Sequence, residues 1–167
     1  MPAPASPSTP AVDVRREPYD AKGSQWVVAR AEEELVVRYG LLDDGERVLT
    51  ADMFDPPGGA FLVARSGGGV DPVGGVGVRM VAPGTGEVRR LWVDPGWRRL
   101  GVARVLMDAL EEAARALGAD TLRLATGDRQ PEAVALYEGA GWERVRVDTY
   151  EGEAETVCVF RFSKSLS

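Results

Sequence analysis

Three arginines, Arg98, Arg99 and Arg104, crowd a short run of small and apolar residues, Leu100-Gly101-Val102-Ala103. Beside side chains that small, backbone N–H groups stay accessible, and guanidinium groups are well shaped for phosphate. A helix starting here would add its positive end to the same field. The run has the composition of a pyrophosphate-binding turn. Histidine is absent from the chain. Its absence removes Ser-His-Asp and Cys-His nucleophilic machinery and every zinc site that uses histidine. Proton transfer is left to carboxylates, tyrosine, lysine, a cofactor or water.

The elements that must position this run are legible around it. Residues 87–93 have the β-branched and aromatic content of a strand. Asp94-Pro95-Gly96 is turn chemistry. From there Val102, Leu106, Ala109, Leu110, Ala113 and Leu117 recur at helical spacing, and Gly118 caps the helix. Residues 121–126 form a second strand, so the unit is a right-handed β-α-β with parallel strands.

Upstream, residues 12–19 suggest a first strand. Residues 24–39 suggest a helix with Ser24 as N-cap, Gly40 as C-cap and Val28, Ala31, Leu35 and Tyr39 on one face. Glu32, Glu33 and Glu34 read as its solvated side. Between a turn at Asp43-Asp44-Gly45 and a break at Pro56-Pro57-Gly58-Gly59 there is room for a short helix. Residues 60–65 and 73–81 form an antiparallel hairpin, because Gly67-Gly68-Gly69 leads into a strand rather than a helix. A second turn at 82–86 leads into the strand at 87–93. Downstream, Pro131 opens a helix that runs to about Glu138. Strands at 142–148 and 155–162 follow, around a loop at Glu151-Gly152-Glu153. The order gives an α/β (α+β) fold: a mixed, mostly antiparallel sheet with one parallel β-α-β unit.

At 167 residues the chain suits one domain. Residues 1–11, rich in Pro, Ala and Ser, read as a disordered tail, and residues 12–167 as the domain. A net charge of -6 argues against a general nucleic-acid surface. No apolar run approaches the roughly 20 residues needed to span a bilayer. With neither a membrane span nor a signal peptide at the N-terminus, the expected location is cytoplasmic. The single cysteine, Cys158, permits no intrachain disulfide and is expected to be a buried, inert thiol.

Two segments resemble the GCN5-related N-acetyltransferase (GNAT) family. Arg98-x-x-Gly101-x-Ala103 is similar to the family's (Gln/Arg)-x-x-Gly-x-(Gly/Ala) signature. Gln130-Pro-Glu-Ala133-Val-Ala-Leu136-Tyr137, followed by Gly141-Trp142, is similar to its Asn-x-x-Ala-x-x-Leu-Tyr…Gly-(Phe/Trp) segment, with Gln130 where Asn is usual. The resemblance implies a sheet whose two parallel strands splay to admit acetyl-CoA. It implies a pyrophosphate site at Arg98, Arg99, Leu100, Gly101, Val102, Ala103 and Arg104. Leu91, Trp92 and Val93 would meet the pantetheine arm through their backbone, with Gln130 on the same arm. Tyr137 would reach the sulfur and protonate the leaving thiolate. Glu87, eleven residues before Arg98, corresponds to the general base of some members. Residues 121–127 hold no carboxylate, so proton removal falls to Glu87 or a water chain. Period-two alternation would put Glu87, Arg89, Leu91 and Val93 on one face.

What the resemblance implies is an acetyl-CoA-dependent N-acetyltransferase. It would act directly, without a metal, on a primary amine of a small molecule or a protein. A homodimer is compatible with this reading, whereas a nucleic-acid or membrane partner is not expected. The rival is an acyl-CoA-binding regulatory module without turnover.

Overall fold

The computed structural model describes residues 11–40, 49–151 and 155–166. The expected tail (Ala11 excepted), the turn at Asp43-Asp44-Gly45 and most of the loop after Glu151 fall outside those residues. Among the described residues, seven strands form one sheet in the order β1-β2-β3-β4-β5-β7-β6. In chain order the elements are β1 (Val12–Arg16), α1 (Lys22–Tyr39), α2 (Ala51–Phe54), β2 (Gly59–Ser66), β3 (Pro72–Ala82) and β4 (Thr85–Val93). A 3-10 turn at Pro95–Trp97 then leads to α3 (Val102–Ala116), β5 (Thr121–Gly127), α4 (Pro131–Gly139), β6 (Glu143–Glu151) and β7 (Thr156–Ser165). No helix among the described residues is long and apolar enough to cross a membrane.

Helices cover both faces of the sheet. Ala60, Leu62 and Ala64 of β2 join Val102, Leu106 and Leu110 of α3 in one core. Phe61 and Val63, pointing the other way, join Val27, Val28 and Ala31 of α1 and Phe54 of α2 in a second. Full burial of each valine, leucine or phenylalanine among them stabilises the fold by roughly 1.5–3 kcal/mol. Helix α3 buries Val102, Leu106, Met107, Leu110 and Ala114. Its contact face is thus rotated slightly from the expected one, with Ala109, Ala113 and Leu117 only half-buried at its rim. Gly118, at φ 95, ends it. The N–H groups of Gly118 and Ala119 return to the carbonyls of Arg115 and Ala114, at 3.0 and 2.9 Å.

Helix α1 starts two residues before the expected cap. Ala21 is its N-cap, and Ser24 is fully buried within the first turn. The Ser24 hydroxyl has no hydrogen-bond partner among the described residues, so it does not cap. Gly40 ends the helix as expected, its N–H 2.7 Å from the Val36 carbonyl. Cys158, on β7, is half-buried rather than fully buried.

Strand β4 decides the architecture. It pairs in parallel with β5 through three rungs, Thr85↔Thr121, Gly86↔Leu122 and Glu87↔Arg123, and then the two strands part. Just beyond the last rung the β3–β4 register slips, Gly77↔Arg89 being followed by Gly75↔Trp92. Arg90 takes the left-handed conformation there, at φ 58, a position that costs a non-glycine residue about 1–2 kcal/mol. This bulge overturns the expected unbroken alternation. The inserted residue turns the strand over, so Val88, Leu91 and Val93 all pack on the α3 side, while Trp92 packs on the α1 side.

Candidate active site

The turn from β4 to α3 is built by its backbone. The Asp94 carboxylate accepts the Gly96 N–H at 2.9 Å. Arg99 and Gly101 are both left-handed, at φ 63 and 86. The turn delivers the chain to the start of α3, where the N–H groups of Val102, Ala103 and Arg104 have no carbonyl one turn back to accept them. Alternating left-handed residues before a helix N-terminus make a concave array of donors suited to an anion. Arg99 and Arg104 are exposed beside it, as is Leu100; Ala103 is half-buried and Val102 buried.

Arg98 does something else. Its Nε donates to the Val93 carbonyl at 2.9 Å, and its terminal nitrogen to Glu34 at 2.7 Å. It braces the turn against α1. Glu34 is therefore no solvated glutamate: it binds Arg98 and, at 3.0 Å, Arg38. Burial opposes its charge, yet the two arginines outweigh burial and hold its carboxyl below the ordinary range.

Where β4 and β5 part, a cleft of about 140 Å3 opens. Leu91 and Trp92 line one wall, Leu124 and Thr126 the other. Glu34 reaches it from α1, and Gln130 and Tyr137 from the α4 side. The strand edges facing each other here no longer pair with one another, so an amide-bearing chain could bond to them as an added strand. Val93 itself is buried, and its carbonyl is taken by Arg98.

Tyr137 is both a core aromatic and a cleft residue. It is 5% exposed, with Trp142 and Phe162 ring centroids 5.7 and 5.8 Å away. Burial pushes its hydroxyl well above the ordinary tyrosine range, so it keeps its proton.

Glu87, expected as the general base, stands among arginines at the last β4–β5 rung. Arg79 lies directly opposite on β3 and Arg123 directly opposite on β5. Guanidinium nitrogens of Arg79, Arg89 and Arg123 stand 3.0, 3.2 and 3.3 Å from the carboxylate. Burial resists its charge, but the arginines, Arg79 foremost, prevail and lower its pKa. Glu87 does not line the cleft. A carboxylate held this way is a poor base and a good clamp, and it clamps the last rung before the strands separate. Sequence reasoning missed its three partners, although the register of the hairpin at 60–81 and its successor would have placed Arg79 beside it.

A short arginine-flanked turn thus leads into a helix beside a gap between two parallel strands. The profile of the Acetyltransferase (GNAT) family matches residues 12–142. The chain belongs to the GNAT family. An IAA acetyltransferase of Azospirillum brasilense is 39% identical over 82 residues, which are 49% of this GNAT chain and 53% of that protein. The chain thus spans about half the length of that relative. An uncharacterized N-acetyltransferase of Escherichia coli, YjgM, is 32% identical over 131 residues, covering 71% of this chain and 75% of its own. Among solved structures, yncA of Salmonella typhimurium, determined with its cofactor acetyl-CoA, superposes with a TM-score of 0.71 at 15% identity, over 94% of this chain and 95% of that one. At that identity the likeness concerns the fold alone.

Proposed function

We propose that this GNAT domain transfers the acetyl group of acetyl-CoA directly to a primary amine of a small molecule or protein. The observation that carries the proposal is the opening of β4 from β5 immediately after the Glu87–Arg123 rung, with the donor array of α3 beyond one end and Tyr137 in its wall. The residues present fit acetyl-CoA. The N–H groups at 102–104, with Arg99 and Arg104, suit the pyrophosphate; the parted strand edges and Gln130 suit the amides of the pantetheine arm. The names of the relatives, both acetyltransferases, and the acetyl-CoA bound to yncA support the same donor.

In this reading the amine attacks the thioester carbonyl where the strands diverge. Backbone N–H groups of β4 released from pairing stabilise the developing oxyanion. Tyr137 donates its proton to the departing thiolate. Water in the cleft removes the ammonium proton, since Glu87 is bound to arginines. The test is a panel of small amines and peptides incubated with acetyl-CoA, following free thiol. Acceptor-dependent release establishes transfer; acetyl-CoA binding with no turnover across the panel would leave the regulatory binding module in its place.

A further inference from the structure

Helix α1 ends against the loop that carries Gln130, and the contact is specific. The Arg38 guanidinium donates to the Arg129 carbonyl at 2.7 Å, and the Arg129 guanidinium donates to the Arg38 carbonyl at 2.9 Å. The Arg129 guanidinium also lies 5.6 Å from the centre of the Tyr39 ring. Tyr39 itself packs over Gly127, where a Cβ would stand 2.1 Å from the tyrosine oxygen. Only glycine lets the ring in.

The hydroxyl of Tyr39 has a fixed polarity. It accepts the backbone N–H of Arg129 at 3.1 Å, a group that can only donate. Its own proton then goes to the remaining neighbour, Oε1 of Gln130, at 3.3 Å. The buried hydroxyl of Thr126 donates to the same oxygen at 3.4 Å. Two donors occupy the two lone pairs of Oε1. The amide nitrogen is the end left over, it has no acceptor among the described residues, and Gln130 lines the cleft.

We infer that Tyr39 is a positioning residue: with Thr126 it orients the Gln130 side chain so that the cleft is offered an N–H donor. The matching ligand group is a carbonyl, and on an acyl-CoA that is an amide carbonyl of the pantetheine arm. The inference rests on the acetyl-transfer reading above. It makes α1, an element on the opposite face of the sheet from α3, a part of cofactor recognition.

A double-mutant cycle tests it. Acetyl-CoA affinity is measured by titration calorimetry for the wild type, Tyr39→Phe, Gln130→Ala and the double variant, with steady-state kinetics alongside. Loss of one hydrogen bond predicts roughly three- to tenfold weaker binding in Tyr39→Phe. The loss should fall on KM for acetyl-CoA rather than on kcat. In the Gln130→Ala background, Tyr39→Phe should cost nothing further, because it acts through Gln130. Thr126→Val removes the second donor and should behave alike, which covers the case of a Tyr39→Phe protein that does not fold. Unchanged affinity in these variants, or losses that add fully to that of Gln130→Ala, would overturn the inference while leaving acetyl transfer intact. A wild type that binds no acetyl-CoA would overturn both.

Discussion

At the scale of single residues, the site separates two protonic roles that look interchangeable on paper. Tyr137 sits in an apolar wall that favours its neutral form, so it holds its proton at neutral pH. Tyr137→Phe keeps the ring between Trp142 and Phe162 and deletes that proton. With a saturating acceptor, kcat is expected to fall on the order of 10²-fold, with acetyl-CoA affinity nearly unchanged. Activity within about twofold of the parent would remove the general-acid role. Glu87 is the reverse case. Its pKa is lowered in the folded state, so its contribution is fully present above the unfolded value, about 4.3, and is lost as pH falls through the lower folded value. Glu87→Gln should cost roughly 2 kcal/mol at pH 7, short of the ~3–5 kcal/mol typical of a fully buried pair. In urea unfolding, the gap between parent and variant should narrow below about pH 4.3. A gap independent of pH there would deny the arginine clamp, and a kcat that Glu87→Gln lowers at neutral pH and high pH restores would return Glu87 to the role of base.

At the scale of elements, punctuation decided what could be read. The hairpin between β2 and β3, the turn at Asp94-Pro95-Gly96 and the stop of α3 at Gly118 are marked by glycine and proline, whose backbone preferences are local. The start of α1 was misread because serine is a good cap by type, yet Ser24 lies in the helix and is buried against the sheet. The bulge of β4 was invisible for a different reason. An arginine at φ 58 carries no local signal; the slip is imposed by pairing with β3 and by two cores competing for one strand. The turn before α3 was legible as a motif, whereas Arg98 as a brace depends on Glu34, which lies 64 residues earlier. At Gly101, φ 86 places the residue where the turn enters α3. Gly101→Glu would set a carboxylate among the donors we propose for the pyrophosphate. The parent should gain several degrees in Tm with saturating acetyl-CoA, and the variant, if folded by circular dichroism, should gain none. An equal gain would move the cofactor elsewhere.

At the scale of the molecule, the sheet separates two cores that share β4, and the cleft is the place where neither claims the strand completely. The bulge bears on how this chain tolerates changes in length. With Arg90 left out of the count, regular alternation puts Val88, Leu91 and Val93 on the α3 side and Trp92 on the α1 side, and the pairs Gly75↔Trp92 and Gly74↔Val93 fall into the same register as Gly77↔Arg89. A chain lacking Arg90 alone would therefore keep both cores and exchange no side chain between them. What it would lose is the bulge, and β4 would then continue alongside β5 where the cleft now opens. We expect the deletion protein to unfold cooperatively, while acetyl-CoA no longer raises its Tm. A deletion protein that keeps the parental gain in Tm with acetyl-CoA would show that the strands part for another reason. Arg90 is, on this argument, a wedge: the two interiors close without it, and the gap between the strands does not open.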